Sequence, residues 1–402
     1  MTRLTIAALA LAAMSLVGCT GTAGPILANP AAPRPSMPPP TAAPSRPADP
    51  LPVVLPRDDG PHDRLTEWWY YTGHLAADGP DGAHHFGFEF VIFRAERGTL
   101  PTTWISHLAI TDETAGDFHD AQRLEVGKGV DRSPGDASGT PSGFDLSLTG
   151  ADPTDPNADE RPPWQMRGSD GSDQLIAAIE EPDAASQQSP PLGLNLSLTA
   201  RKPPALHDGD GWIDFGPAGG SYYYSRTSMA ASGLLSLAGT TFRVKGDAWF
   251  DHQWGDFISI GAGGWDWFAI NLDDGTDITL SLVRDTDGSY PIVYGTVVDA
   301  AGVSRHLESA DFGVSTTDRW RSPTSGADYP AAWSIEIPGE DLTIDLRPTV
   351  AAQELDTRAT SGVVYWEGSQ IVMARRGGIA LGGAAYVELT GYATSGLGAG
   401  AP

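Results

Sequence analysis

From about residue 57 onward the chain alternates short apolar runs with turn residues. Phe86-Gly87-Phe88-Glu89-Phe90-Val91-Ile92-Phe93, Ile105 to Ile110, Trp267 to Leu272 and Ile278 to Val283 are rich in β-branched and aromatic side chains. Each reads as a strand. Asp-Gly pairs at Asp81-Gly82, Asp274-Gly275 and Asp287-Gly288 punctuate them, because glycine accepts the positive φ of a tight hairpin. No stretch keeps a helical period beyond two or three turns, and Gln174 to Glu181 is the one segment that fits a short helix. Many short strands at close spacing predict an all-β protein, sandwich or barrel.

A repeated order divides the strands into two halves. Glu67-Trp68-Trp69 opens a strand that turns through Asp81-Gly82 into a second ending at Phe93-Arg94. Asp266-Trp267-Phe268 opens one that turns through Asp274-Gly275 into a second ending at Val283-Arg284. About 345 residues are long for a single core, so two domains are expected, at 57–233 and 234–397, with the junction near Gly233. The segment 131–191, rich in Pro, Gly, Asp and Ser, is expected to form long loops in the first half.

The N-terminal residues change the picture of where the protein works. Arg3 precedes an apolar run from Leu4 to Met14, and Leu16-Val17-Gly18-Cys19 closes it with small residues. This is the pattern of a secretory signal peptide, residues 1–19, resembling a bacterial lipobox with Cys19 as the lipidation site. The run is too short to span a bilayer. Cys19 is the single cysteine of the chain, so no internal disulfide can staple the fold. Residues 20–56 are Pro- and Ala-rich without an aromatic residue, and read as a disordered tether. The expected location is the bacterial cell envelope, periplasm or outer face of a membrane, reached by export and held by lipid. The 51 acidic against 25 basic residues argue against nucleic acid as a partner, since phosphate contact needs clustered Lys and Arg.

Candidate chemistry concentrates in Ala248 to Phe257 and the neighbouring Trp265-Asp266-Trp267. Side chains alternate along a strand, so His252, Trp254 and Asp256 are expected on one face and Asp251 and Gln253 on the other. An imidazole, an indole and a carboxylate on one face suit acid chemistry on an apolar substrate: a carboxylic acid in an apolar cavity stays protonated, and aromatic faces stabilise cations. The same residues equally suit a structural role at a domain junction. Glu67, beside Trp68 and Trp69, is either a cavity-facing acid or a carboxylate pinned by Arg64 or Arg94. His107, within an apolar strand, either faces a cavity or is a satisfied core histidine. Tyr223, Trp69, Trp265 and Trp267 complete the expected ligand-binding set. His84-His85 are adjacent and so face opposite sides of a strand, and no two-His-one-carboxylate spacing stands out, so no metal site is expected. Nucleophile-elbow, phosphate-loop and dinucleotide fingerprints are absent, and no cofactor is expected.

The segments HDRLTEWWYYTGH from His62, FEFVIFR from Phe88, SHLAITD from Ser106, YYYSRT from Tyr222, VKGDAWFDHQWGDF from Val244, GWDWFAINL from Gly264, and YWEG and YVELTGY from Tyr365 and Tyr386 together resemble the AttH-like lipocalin family. That family includes bacterial carotenoid 1,2-hydratases and fungal relatives such as kievitone hydratase. The resemblance spans residues 57 to 395 and implies two tandem lipocalin-like antiparallel β-barrels. It also implies acid-catalysed hydration of a double bond by a His and a Trp two residues apart, matched by His252 and Trp254, with a Tyr and an Asp further on. Asp285 is the counterpart of that Asp, while Val283 stands where the phenol would be. Exported members resemble lipoproteins encoded beside transporter permeases, which implies an ABC transporter permease as partner.

Two functions follow as expectations. The chain hydrates a C=C bond of an isoprenoid- or lipid-like molecule, or it carries such a hydrophobic ligand without changing it.

Overall fold

The computed structural model describes residues 48–79, 82–135, 142–150, 162–178, 192–257 and 263–393 of the 402-residue chain. The signal peptide with Cys19 and most of the expected tether therefore lie outside the described residues.

Among the described residues there is no α-helix, and the strands form two antiparallel sheets. The first contains β1 (Thr66–Gly79), β2 (Gly82–Ala95), β3 (Thr103–Asp112), β4 (Asp117–Val126), β5 (Phe144–Leu148), β6 (Trp164–Ser169), β7 (Ser172–Ala178), β8 (Gly193–Ala200), β9 (Ala205–Leu206), β10 (Trp212–Asp214), β11 (Gly220–Leu237) and β12 (Thr240–Gly255). Its order is β4-β3-β2-β1-β12-β11-β8-β7-β6-β5, with β9 and β10 paired to β11. The second contains β13 (Gly264–Leu272), β14 (Asp277–Arg284), β15 (Ile292–Val298), β16 (Ser304–Glu308), β17 (Gly313–Arg321), β18 (Asp328–Ile337), β19 (Leu342–Pro348), β20 (Glu354–Asp356), β21 (Val364–Arg376), β22 (Ile379–Leu381) and β23 (Gly383–Leu389). Its order is β16-β15-β14-β13-β23-β21-β19-β18-β17, with β20 and β22 on β21.

Each sheet curls until its edges approach, because each buries one face on itself. In the first, the edges are tied by Arg123 donating to the Leu148 carbonyl and by Glu125 accepting from the Thr149 and Gly150 amides. Alternation gives each barrel its own core: Trp69, Tyr71, Phe88, Phe90, Tyr224 and Phe250 fill the first, and Phe268, Ile270, Trp333, Ile344 and Val387 the second. The outer faces of β1, β2, β3, β11 and β12 pack against those of β13, β14, β21 and β23. A barrel core on one face and a shared seam on the other explain why many strands show apolar residues on both faces.

The repeated order seen in the sequence is a repeated structure. β1 lies between β2 and β12, and β13 between β14 and β23. Arg284 donates to Asp266 at 2.6 Å, and Arg94 stands 3.7 Å from Glu67 at the equivalent corner.

Three expectations are corrected. Gly233 pairs with Val244 inside the β11–β12 hairpin, so the change of barrel falls between Gly255 and Gly264. Length and repeat could not show that one long hairpin carries the chain back to the first sheet. Gln174 to Ala178 belong to strand β7, paired with β8, because Leu175 and Ala177 alternate into the first core. Residues 48–56 are folded rather than tethering: Val53 and Leu55 pack on the first core, and Tyr222 donates to Asp49 at 2.7 Å.

Candidate functional site

β12 presents its chemistry on two faces. Phe250, His252 and Trp254 point into the first barrel, while Trp249, Asp251 and Gln253 point out of it toward the second. Asp251 and Gln253 border a cavity between the barrels, whose empty volume, including its opening to solvent, is about 680 Å³. Trp68 and Tyr70 of β1, Phe93 of β2, Phe215 just after β10, Tyr223 of β11, Trp265 and Trp267 of β13, Ser281, Val283, Tyr294 and Glu388 line the rest. The walls are mostly aromatic, and two carboxyl groups interrupt them.

Asp251 is buried and surrounded by neutral donors. Tyr223 donates to its Oδ2 at 2.5 Å, Trp249 Nε1 to its Oδ1 at 2.6 Å, and Ser225 to the same Oδ1. Trp267 Nε1 in turn donates to the Tyr223 oxygen at 3.1 Å. Burial drives the Asp251 carboxyl up, the three hydrogen bonds oppose it, and the balance lies at about 7. Glu388, half-buried beside Trp265, accepts from Trp265 Nε1 at 2.9 Å. Burial raises it as well, with Asp251 adding repulsion, again to about 7. Two acids poised near neutrality across an apolar cavity can donate and accept protons at physiological pH.

The expected site residues divide between this cavity and other places. Tyr223, Trp265 and Trp267 line it. His252 does not: its ring is fully buried in the first barrel, 4.7 Å from the rings of both Trp69 and Trp254, with Nε2 3.0 Å from Glu67 Oε1. Trp254 lies on the same inner face, stacked on His62 at 4.0 Å. Trp69 is core and donates to the Asp59 carbonyl at 3.0 Å. Asp256 leaves that face because β12 ends at Gly255; it is exposed and pairs with Arg64 at 2.8 Å. Asp285 is an exposed turn residue that accepts from the Thr286 amide. His107 is a buried seam residue bound to the Tyr365 hydroxyl at 2.8 Å, and burial lowers it to about 3, keeping it neutral.

Glu67 is the pinned carboxylate of the two readings: Arg94 lies 3.7 Å from its Oε2, and two histidines join it. His62 Nδ1 lies 2.7 Å and His252 Nε2 3.0 Å from its Oε1. Burial pushes Glu67 up, but His62 and His252 outweigh it and hold it at about 2. His62, Glu67 and His252 thus bring two imidazoles and a carboxylate within 4.8 Å of one another, a grouping that linear spacing hid because 185 residues separate Glu67 from His252. Asp251, Tyr70, Tyr294 and Glu388 are site residues that sequence reasoning missed. Alternation had separated Asp251 from His252; which face was open required the second barrel.

A family model described as AttH-like matches residues 46–392. An AttH protein from Nitrosomonas europaea has a similar structure, with TM-score 0.68 and 29% identity over 88% of this chain and 100% of that one. Kievitone hydratase from Nectria haematococca is similar at TM-score 0.58 and 14% identity, covering 84% of this chain and 93% of its own. The dehydratase asqC from Emericella nidulans is 23% identical over 166 residues, which are 39% of this chain and 46% of that protein. The chain thus spans less than half the length of that curated relative.

Proposed function

The chain belongs to the AttH-like family, and from that premise we propose that it adds water to, or removes it from, an apolar small molecule held between the two barrels. The observation carrying this reading is Asp251: a carboxyl group in an aromatic cavity, at about 7 through burial, held by Tyr223, Ser225 and Trp249. In the hydration direction Asp251 delivers its proton to one alkene carbon. The cation formed on the other carbon rests against Trp68 and Trp267, whose π faces favour positive charge. Water attacks that carbon and gives its spare proton to Glu388, the more solvent-accessible acid, so one water is added and one proton has moved from Asp251 to Glu388. Exchange with solvent restores both. Dehydration runs the same steps backward, with Asp251 accepting the proton.

The test is a panel of isoprenoid alkenes and their tertiary alcohols incubated with the protein in ¹⁸O-labelled water. Label should enter the alcohols, and Asp251→Asn should abolish entry. Undiminished exchange by that variant overturns the assignment.

A carrier function is the second reading, favoured by the largely apolar walls of the cavity. It predicts a ligand extracted unchanged and no label transfer. We further propose that the protein is exported and lipid-anchored at Cys19; the support is the signal and lipobox pattern of residues 1–19. No helix among the described residues is long and apolar enough to cross a membrane. Radiolabelled palmitate should enter the protein in cells and be lost in Cys19→Ser.

A further inference from the structure

We propose that His62, Glu67 and His252 form a binding site for a divalent first-row transition metal at the mouth of the first barrel, separate from the cavity between the barrels. The ligand atoms are His62 Nδ1, His252 Nε2 and Glu67 Oε1, and all lie within 4.8 Å of one another. Two imidazoles and one carboxylate are the donor set that suits Zn²⁺, Fe²⁺ or Co²⁺ rather than Mg²⁺ or Ca²⁺.

The surroundings match what such a site requires. The Nε2 atom of His62 faces Asp58 Oδ1 at 3.5 Å, the carboxylate–imidazole arrangement that orients a metal-bound histidine. His252 turns Nε2 toward Glu67 Oε1 at 3.0 Å, and its buried Nδ1 has no hydrogen-bond partner among the described residues. Arg94 sits 3.7 Å from Glu67 Oε2, opposing a cation on that oxygen and leaving Oε1 as the ligand. Trp69 and Trp254 flank the imidazoles, supplying a fixed apolar wall. An outer cleft bordered by Arg57, Asp58, His62 and Arg64 gives an ion a way to His62 and a water ligand a place to stand.

Without metal the three side chains hold one another through hydrogen bonds to Glu67. Binding exchanges these for metal bonds and releases the proton shared between His62 and Glu67. Because His62 belongs to the segment crossing the barrel mouth and the other two ligands to β1 and β12, the ion fastens that segment to the barrel. The role is structural and does not depend on the reaction proposed above.

The experiment uses the full chain, stripped with chelator, dialysed and titrated with Zn²⁺ and with Co²⁺. One equivalent should bind per chain, Co²⁺ should give the ligand-field absorption of a nitrogen-and-oxygen site, and the thermal midpoint should rise. Calorimetry in buffers of different ionisation enthalpy should show proton release. His62→Ala should remove this equivalent, and Asp58→Asn should weaken it about 10- to 100-fold. His62 lies at the barrel mouth, partly exposed, so His62→Ala keeps the test alive if Glu67→Gln fails to fold. Absence of binding to the wild type at micromolar metal overturns the proposal, as does one equivalent that survives His62→Ala.

Discussion

On the inner face of β12, His252 meets Glu67 at 3.0 Å with His62 and Arg94 behind it. On the outer face, one residue earlier, Asp251 meets Tyr223, Ser225 and Trp249, all neutral. Both carboxyl groups are buried, yet one is held at about 2 and the other raised to about 7. The cost of burying charge is the same kind in both places; what differs is whether a cation offsets it. The inner cluster therefore keeps its charges and fixes the barrel mouth, whereas the seam keeps its protons and can exchange them. Glu89 and Glu367, also buried in the seam, are raised well above the usual carboxylate range by burial and by mutual repulsion with Glu388.

The contrast is broken most sharply by exchanging carboxyl for amide on each face. Asp251→Asn should lower turnover about 10²- to 10⁴-fold while leaving the urea midpoint below about pH 4 nearly unchanged, because the amide mimics the acid that is protonated there. Glu67→Ala should cost about 3 to 5 kcal/mol of stability, since it leaves His62, Arg94 and the buried His252 without their carboxylate; urea unfolding measures it.

The two faces also predict opposite responses to pH. Glu67 is lowered from 4.5 to about 2, so its contribution is present above pH 4.5 and is lost as pH falls toward 2, about 3 kcal/mol in all. Asp251 is raised from 3.8 and Glu388 from 4.5, each to about 7. Their contribution is complete below pH 3.8 and is lost as pH rises through 7, about 3 to 4 kcal/mol each. Urea midpoints from pH 3 to 9 should show Glu67→Gln flattening the acid limb and Asp251→Asn the alkaline limb. A single limb flattened by both variants would falsify the distinction.

Smaller effects sharpen the outline of the site. Tyr223→Phe removes one donor from Asp251 and should shift the pH profile of turnover upward, with a loss of about tenfold in rate. Asp256→Asn and Asp285→Asn, both at exposed positions, should change turnover by less than about twofold and stability by less than about 0.5 kcal/mol.

The strand pattern was legible because alternation is a local property: Phe86 to Phe93 and Trp267 to Leu272 lie in β2 and β13 as read. The doubled architecture was legible too, since the Glu67 to Arg94 and Asp266 to Arg284 hairpins open the two sheets. Three of the aromatic candidates, Tyr223 in its tyrosine-rich strand and Trp265 and Trp267 just after the Asp251 segment, line the cavity. The acid was not, because a β-strand in a two-barrel protein has two buried faces, and nothing local says which of them borders empty space. His252 has the richer sequence context and the filled face; Asp251 borders the cavity. The junction at Gly233 failed for a related reason: hairpin β11–β12 extends far past the point where composition changes, and only pairing assigns it to the first sheet.

The central claim is that the Asp251 carboxyl holds its proton near neutral pH within the cavity between the barrels. Infrared difference spectroscopy of the carboxylic C=O stretch, wild type minus Asp251→Asn, across pH 4 to 9 tests this directly. The account predicts a protonated-carboxyl band that persists to about pH 7 and is missing from the variant. Loss of that band by pH 5 in the wild type would contradict it.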